Sequence, residues 1–172
     1  MHCMVDLETL DTAPTSHILS IGAVMFDRDK IVDEFYEIIT IDELMMKNFT
    51  ISASTLNWWI KQDEAIKEFG KGTNSIQDVL KNFSAWFTLY RGKELWGNGA
   101  TFDNVILGNA YKVLGLKQPW SYKYDRCYRT IAGLYHKIDK TFEGMRHNAL
   151  ADARFQAEYL IELNKLYVLN IL

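Results

Sequence analysis

The first apolar segment of the chain reads Val5-Asp6-Leu7-Glu8-Thr9, with two carboxylates at positions i and i+2. Side chains alternate along a β-strand, so Asp6 and Glu8 point from one face of this segment. Like charges held this close repel, and a folded protein pairs them with cations, protonates one of them, or places a metal ion between them. No Lys or Arg precedes residue 28, which favours the metal, although such a pair alone is more often a solvated strand end.

A further carboxylate follows a glycine-flanked turn in the middle of the chain. The turn, Gly97-Asn98-Gly99, comes after a short apolar strand, and Asp103 opens a helical pattern that ends at Gly115. Asp is a preferred helix N-cap, and for a single site this is the commoner interpretation. Glycines are also used where the backbone must approach another group closely, so the turn fits a functional site as well.

A third motif carries a histidine and a carboxylate five residues apart, His147 and Asp152. Five residues along a helix correspond to a rotation of about 140°, so the two side chains cannot share one helix face. Asn148 is a suitable N-cap, which places His147 on the preceding loop and Asp152 one turn inside the helix. From the loop, the imidazole can reach over a site that Asp152 enters from the helix.

The chain resembles the DEDDh branch of the DnaQ-like 3′–5′ exonucleases through Asp6-x-Glu8, Asp103 after a Phe, and His147-x4-Asp152, in that order. That branch includes polymerase proofreading subunits, ribonuclease T and oligoribonuclease. Each motif alone is weak, but all three together are specific, and the resemblance covers nearly the whole chain. The segment 51–62 is most similar to a subgroup that includes a phage exodeoxyribonuclease and a mycobacterial exoribonuclease.

The resemblance implies a ribonuclease H-like fold with Asp6 and Glu8 on the central strand, and the order of predicted elements agrees with it. Apolar segments predict strands at about 2–8, 18–26, 31–39 and 94–96 and near 120–124, and helical patterns cover about 41–47, 52–62, 76–90, 103–114, 126–135 and 149–166. This order indicates an α/β fold with a mixed five-stranded sheet, its first three strands antiparallel, flanked by helices. With 172 residues and 48% apolar content, we expect a single domain over residues 1–172.

Composition and charge restrict the cellular compartment of the protein and the kind of partner that it can bind. The two cysteines are far apart in the sequence and indicate a reducing compartment. The first strand leaves no room for a signal peptide, and no apolar run could span a membrane. We therefore expect a cytoplasmic protein. The net charge of −3 argues mildly against nucleic acid, but residues 117–146 hold seven Lys or Arg and three acids. This basic stretch is a candidate phosphate-binding surface, and an ordinary solvated loop explains it equally well.

The chemistry of phosphodiester hydrolysis explains the residue types. A water must be activated and a departing 3′-oxyanion stabilised, and two Mg²⁺ ions about 3.5–4 Å apart can do both. Mg²⁺ prefers oxygen ligands, so we expect two Mg²⁺ ions, with Mn²⁺ as a substitute, held by four carboxylates: Asp6, Glu8, Asp103 and Asp152. His147 is the candidate general base, because an imidazole can take a proton from water near neutral pH.

Substrate contacts follow mainly from the resemblance. It implies that Thr9 and Leu10 hold the terminal nucleotide, with Leu10 wedged between the last two bases. Asn98 and Phe102 are further candidates for substrate binding, Phe102 by stacking on a base. Many relatives have Thr-Thr or Thr-Gly where this chain has Leu10-Asp11, which affects the nucleotide contacts and not the metal ligands.

Two adjacent tryptophans, Trp58 and Trp59, lie on the predicted helix over 52–62. They are about 100° apart, so both cannot enter the core equally. We expect one in the core and the other exposed, either at the site or at a contact in a homodimer.

Three functions are compatible with the sequence. The first is a metal-dependent 3′–5′ exonuclease that releases 5′-mononucleotides from single-stranded DNA or RNA. The others are a nucleic-acid-binding module on the same fold with weak or no catalysis, and a metal-dependent phosphohydrolase acting on nucleotides. No residue can be assigned to a 2′-hydroxyl, so DNA and RNA both remain open.

Overall fold

A computed structural model describes residues 1–43, 48–62, 64–135, 138–169 and 171–172. Its centre is one five-stranded sheet in the order β3-β2-β1-β4-β5. The strands are β1 His2–Thr9, β2 Ile18–Phe26, β3 Ile31–Ile38, β4 Glu94–Gly97 and β5 Asp125–Cys127. The helices are α1 Ala53–Trp59, α2 Ile66–Phe69, α3 Ile76–Leu89, α4 Asp103–Val113, α5 Tyr128–Leu134 and α6 Ala149–Tyr167, with 3₁₀ turns at Ile41–Glu43 and Tyr122–Tyr124.

The sheet has the mixed topology that the sequence predicted. Strands β1, β2 and β3 pair antiparallel, whereas β4 pairs parallel to β1 and β5 pairs parallel to β4. The strand that carries Asp6 and Glu8 is therefore the central one, as expected. Because β1, β4 and β5 are parallel, their carboxyl ends and the segments that follow them meet at one edge of the sheet.

The two faces of β1 serve different layers. Cys3, Val5 and Leu7 pack with α3 and α4 in the larger hydrophobic cluster. Met4, on the opposite face, packs with Ala153 and other residues of α6 in the second cluster. The predicted alternation is confirmed, so Asp6 and Glu8 project toward the α6 side of the sheet.

Helix α6 approaches the sheet closely because Gly22 on β2 has no side chain. A Cβ at Gly22 would lie 2.1 Å from the backbone carbonyl carbon of Ala149, the first residue of α6. In the register of β1 and β2, Gly22 stands opposite Asp6. The glycine therefore lets the start of α6 come down beside the strand that carries the carboxylates.

The strand predicted near 120–124 was misplaced. Residues 122–124 form a 3₁₀ turn, and the strand β5 follows at Asp125–Cys127. The physical reason is the burial of Trp120, which packs edge-on against Tyr111 at 5.7 Å and donates its Nε1–H to Asp125 Oδ1 at 3.0 Å. Trp120 therefore enters the core instead of joining the sheet.

Other element boundaries shift by a few residues, and one helix was not predicted. The helix predicted over 126–135 begins at Tyr128, and the one predicted over 52–62 covers Ala53–Trp59. Of the helix predicted over 41–47, the structure has a 3₁₀ turn at Ile41–Glu43, and residues 44–47 lie outside the described residues. Helix α2 was missed. Within the described residues, no helix has the length and apolar character needed to cross a bilayer.

Candidate active site

Three carboxylates from β1 and α6 converge on the face of the sheet that α6 covers. Asp6, Glu8 and Asp152 each offer one oxygen, and these oxygens lie within 4.8 Å of one another. Glu8 is buried, with 8% of its surface exposed. Oxygen atoms at this mutual distance are suitable ligands for a hard divalent cation such as Mg²⁺ or Mn²⁺.

Asp103 reaches the same centre from the start of α4. Its Oδ1 accepts the backbone N–H of Leu7 at 3.2 Å, and only 2% of the residue is exposed. A Cβ at Gly97 would lie 2.9 Å from the Asp103 Cβ, so the glycine allows this approach. The N-cap position belongs to Phe102, and the Asp103 carboxylate instead contacts the backbone of the central strand.

Burial disfavours the charged forms of all four carboxylates when no cation is present, and repulsion from neighbouring carboxylates adds to this effect at Asp6 and Glu8. Burial, followed by the charges of neighbouring carboxylates, raises the pKa of Asp6 well above its ordinary value and that of Glu8 to about 8. Burial raises the pKa of Asp103 to about 7 and also raises that of Asp152. A group of carboxylates with this much repulsion gains stability from a bound cation.

Gln156 is a residue of this site that sequence reasoning missed. Its Nε2 donates to Asp6 Oδ1 at 2.9 Å, and the side chain is buried. Gln156 stands four residues after Asp152, so both side chains lie on the same face of α6. That spacing is the signal from which Gln156 could have been found once Asp152 was assigned.

His147 lies on the loop before α6, as predicted, and Asn148 is the N-cap of that helix. The Asn148 side chain accepts the N–H of Ala151 at 3.0 Å. His147 has a left-handed backbone, with φ of 61°, and its N–H donates to Asp152 Oδ2 at 3.1 Å. The metal-binding candidate Asp152 thus also fixes the loop that carries the histidine.

The two tryptophans divide between core and site. Trp59 is buried, and its Nε1 donates to the carbonyl oxygen of Thr9 at 2.8 Å. Trp58 is 40% exposed, and its ring packs edge-on against the His147 ring at a centroid distance of 4.7 Å. Of the two alternatives for the exposed tryptophan, the structure favours the site.

A groove beside the carboxylates runs between the end of β1 and α1. Among its lining residues are Glu8, Thr9, Trp58 and Phe102. Thr9 and Phe102 both line this groove, and their contact with a terminal nucleotide stays a prediction. The Thr9 hydroxyl is engaged within the protein, because it donates to the carbonyl oxygen of Asp11 at 2.8 Å.

Two further candidates for substrate contact make contacts within the protein, and their role in binding substrate stays a prediction. Leu10 is only 4% exposed and packs with Trp59 in a small hydrophobic cluster. Asn98 binds the side chain of Arg129 through both its amide oxygen and its backbone carbonyl oxygen. These internal contacts are long-range in sequence, and local patterns do not reveal them.

The central acidic strand, the sheet order and the histidine loop are those of a 3′–5′ exonuclease of the DEDDh class. The chain belongs to the family described as the 3′–5′ exoribonuclease Rv2179c-like domain, whose family model matches residues 1–163. This confirms the resemblance drawn from the sequence, and membership of the class implies divalent metal ions. No curated protein matches the chain in sequence.

Solved structures are similar to the chain in fold. The nuclease domain of 3′hExo, a DEDDh family member, bound to rAMP, has a TM-score of 0.67 and 16% identity over 95% of this chain and 90% of that one. Exonuclease X in complex with 5′ overhanging duplex DNA has a TM-score of 0.62 and 17% identity over 96% and 92%. A full-length 3′-exonuclease has a TM-score of 0.64 and 14% identity over 96% and 60%.

Proposed function

We propose that this exonuclease removes 5′-mononucleotides one at a time from the 3′ end of single-stranded RNA, using two divalent metal ions held by Asp6, Glu8, Asp103 and Asp152. The observation that carries the proposal is the convergence of three carboxylate oxygens within 4.8 Å, with Asp103 on the backbone of the same strand. When bound, the metal ions would activate the attacking water and stabilise the departing 3′-oxygen.

The surrounding residues orient the catalytic groups in this proposal. Gln156 fixes one oxygen of Asp6 by a hydrogen bond, which leaves the other oxygen for a ligand role. His147 takes a proton from the attacking water as general base. Its ring lies against Trp58, and this contact restricts the rotation of the imidazole.

The terminal nucleotide occupies the groove between the end of β1 and α1. Its base stacks on Phe102, a contact worth about 1–3 kcal/mol in other single-strand complexes. We expect single strands to be preferred, because a terminal base that stacks on Phe102 must be unpaired. The proposal of RNA rests on the family description.

The experiment compares matched single-stranded RNA and DNA, labelled at the 5′ end, with Mg²⁺, with Mn²⁺ and with chelator. We expect stepwise shortening from a free 3′-hydroxyl, faster on RNA, and no shortening in chelator. A 3′-phosphate and a circular strand should resist digestion. Asp103→Asn is the inactive control, and wild-type activity in that variant, or cutting of the circle, would contradict the proposal.

Two further proposals concern the whole molecule. A homodimer remains a proposal, and light scattering of the purified chain tests it directly. A cytoplasmic location is supported by Cys3 and Cys127, which are both free thiols, as is usual in a reducing compartment.

A further inference from the structure

Arg129, in the first turn of α5, holds a guanidinium at the border of the acidic centre. Its Nη2 donates to the backbone carbonyl oxygen of Asn98 at 2.8 Å and its Nε to Asn98 Oδ1 at 3.3 Å. Across the parts of the chain that the structure describes, none of the ion pairs within 4.0 Å includes Arg129. The cation is therefore anchored by neutral acceptors, and its charge is not compensated by direct contact with a carboxylate.

The position of Arg129 follows from the parallel pairing of β4 and β5. Gly97 stands opposite Cys127 in the register of these strands, so the loop after β4 and the start of α5 meet at the edge of the sheet where the carboxylates lie. Gly99 has φ of +108°, and a Cβ built on it would lie 3.6 Å from the Arg129 Cζ. The loop backbone at Gly99 thus lies next to the guanidinium.

Arg129 keeps hydrogen-bond donors that Asn98 does not use. A guanidinium has five N–H donors, and Asn98 engages two N–H donors of this one, on Nε and Nη2. The remaining donors can bind a phosphate, for which the planar guanidinium is well suited.

The strand order gives this cation a place along the substrate. The groove for the terminal nucleotide lies at the end of β1 beside α1, whereas Arg129 follows β5, on the other side of β4. A second groove begins at Asn98 and Arg129 and continues past Tyr128 and Phe155 between α5 and α6. A nucleic acid strand that leaves the acidic centre on this side passes the guanidinium.

We propose that Arg129 binds a backbone phosphate of the nucleic acid on the 5′ side of the scissile bond, and that Asn98 acts by positioning Arg129. The inference of this subsite rests on the proposed polymer substrate, and it goes beyond the proposed function by assigning the path of the strand. A competing explanation is that Arg129 only braces the loop that carries Asp103, and the two explanations differ in their dependence on substrate length and salt.

The first test measures binding without turnover, in a Glu8→Gln background. A fluorescent single-stranded RNA dodecamer is titrated at several salt concentrations with Arg129 and with Arg129→Gln. We expect the variant to bind about 10- to 100-fold more weakly and the slope of log K against log salt to fall by about 0.7, the value for one phosphate of a single strand. An unchanged slope would overturn the proposal.

Arg126→Gln is the matched control, because Arg126 lies three residues away and is already paired with Glu94 at 2.9 Å. Its salt slope should equal that of the parent. Arg129→Lys should keep the slope, since the charge remains, and thermal melts of all variants test that they are folded. If the salt slope of Arg126→Gln fell as much as that of Arg129→Gln, the effect would be a general effect of charge and would count against a specific subsite.

The second test compares substrates of different length in the active enzyme. A dinucleotide without a 5′-phosphate has only the scissile phosphate, whereas a dodecamer has further phosphates on the 5′ side. Arg129→Gln should lower kcat/KM on the dodecamer about 10-fold or more and leave the dinucleotide nearly unchanged. An equal loss on both substrates would assign Arg129 to bracing the loop. If the parent cleaves neither substrate, the proposed function fails, while the binding test still decides the subsite.

Discussion

Replacing Glu8 with Gln should stabilise the metal-free protein at pH 8. Burial and the charges of Asp152 and Asp103 raise the pKa of Glu8 from 4.5 to about 8. A carboxyl group with a raised pKa in the folded state contributes stability that is complete below its unfolded value and is lost as the pH rises through the folded value. In chelator, the wild-type protein should therefore lose stability between about pH 4.5 and pH 8, and Glu8→Gln should lose less.

The structure sets the size of this effect. The rise in the pKa of Glu8 from 4.5 to about 8 corresponds to about 5 kcal/mol for an isolated group. Repulsion is shared with the neighbouring carboxylates, which take up protons in its place, and a buried amide without a partner costs about 1–3 kcal/mol. Glu8 makes no hydrogen bond among the described residues, so little else is lost. We expect a net gain in unfolding free energy of about 2 kcal/mol at pH 8.

The assay is urea denaturation at pH 5.5 and pH 8, with chelator and with millimolar Mg²⁺. In chelator, the advantage of Glu8→Gln over wild type should be larger at pH 8 than at pH 5.5. Mg²⁺ should stabilise wild type by mass action and stabilise the variant less. Glu64→Gln, at an exposed position, is the control and should behave as wild type. If Glu8→Gln is clearly less stable than wild type in chelator at pH 8, the repulsive acidic centre is wrong.

Three further predictions concern the machinery around the carboxylates. His147→Gln should lower turnover by about 10²–10⁴-fold, the usual effect of losing a general base. Mg²⁺ should still raise the melting temperature of this variant. A small loss of turnover would leave His147 only a positioning role. Trp58→Ala should lower kcat by about 10- to 100-fold with little change in KM, because the imidazole of His147 is misplaced. Trp58→Phe should restore most of the lost kcat. A change in KM alone would show that Trp58 contacts the nucleobase of the substrate instead of positioning His147. Gly22→Ala should destabilise the fold by at least about 1–3 kcal/mol in urea melts and abolish cleavage, because its Cβ would collide with the backbone of Ala149; wild-type stability would show that α6 can shift freely.

The sequence predicted that Asp6, Glu8 and Asp152 converge, because the positions of these carboxylates are encoded locally. The spacing of Asp6 and Glu8 defines a strand face, and Asn148 defines the start of α6, so three of the four carboxylates could be placed from short patterns. The mixed sheet with an antiparallel first half followed from the order of strands and helices, and the central place of β1 followed from the family resemblance. Strand β5 was misplaced because the aromatic residues before it are apolar enough for a strand, although Trp120 enters the core.

The contacts around these carboxylates join distant segments, which limits what local patterns can predict. The position of Gln156 four residues after Asp152 could have placed it at the site, but its hydrogen bond to Asp6, 150 residues earlier, is a tertiary contact. Arg129 is likewise held by Asn98 through a contact between the loop after β4 and the start of α5. Leu10 was assigned to the substrate by resemblance. Its packing with Trp59 in a small cluster could not be predicted, because the local pattern placed helix α1 but did not fix its orientation. Side-chain direction at such positions is decided by tertiary packing.

In the proposed mechanism, Asp152 links metal binding to the position of the general base. A non-glycine residue in the left-handed region costs on the order of 1–3 kcal/mol, and His147 adopts it while donating its N–H to Asp152 Oδ2. A charged acceptor strengthens that hydrogen bond, so the ionised form of Asp152 both favours a bound cation and holds the histidine loop. Conversely, protonation or removal of this carboxylate weakens the bound cation and releases the loop together. The acidic centre and the histidine therefore form one coupled unit, in which the closeness that Gly22 permits between α6 and the sheet serves both functions.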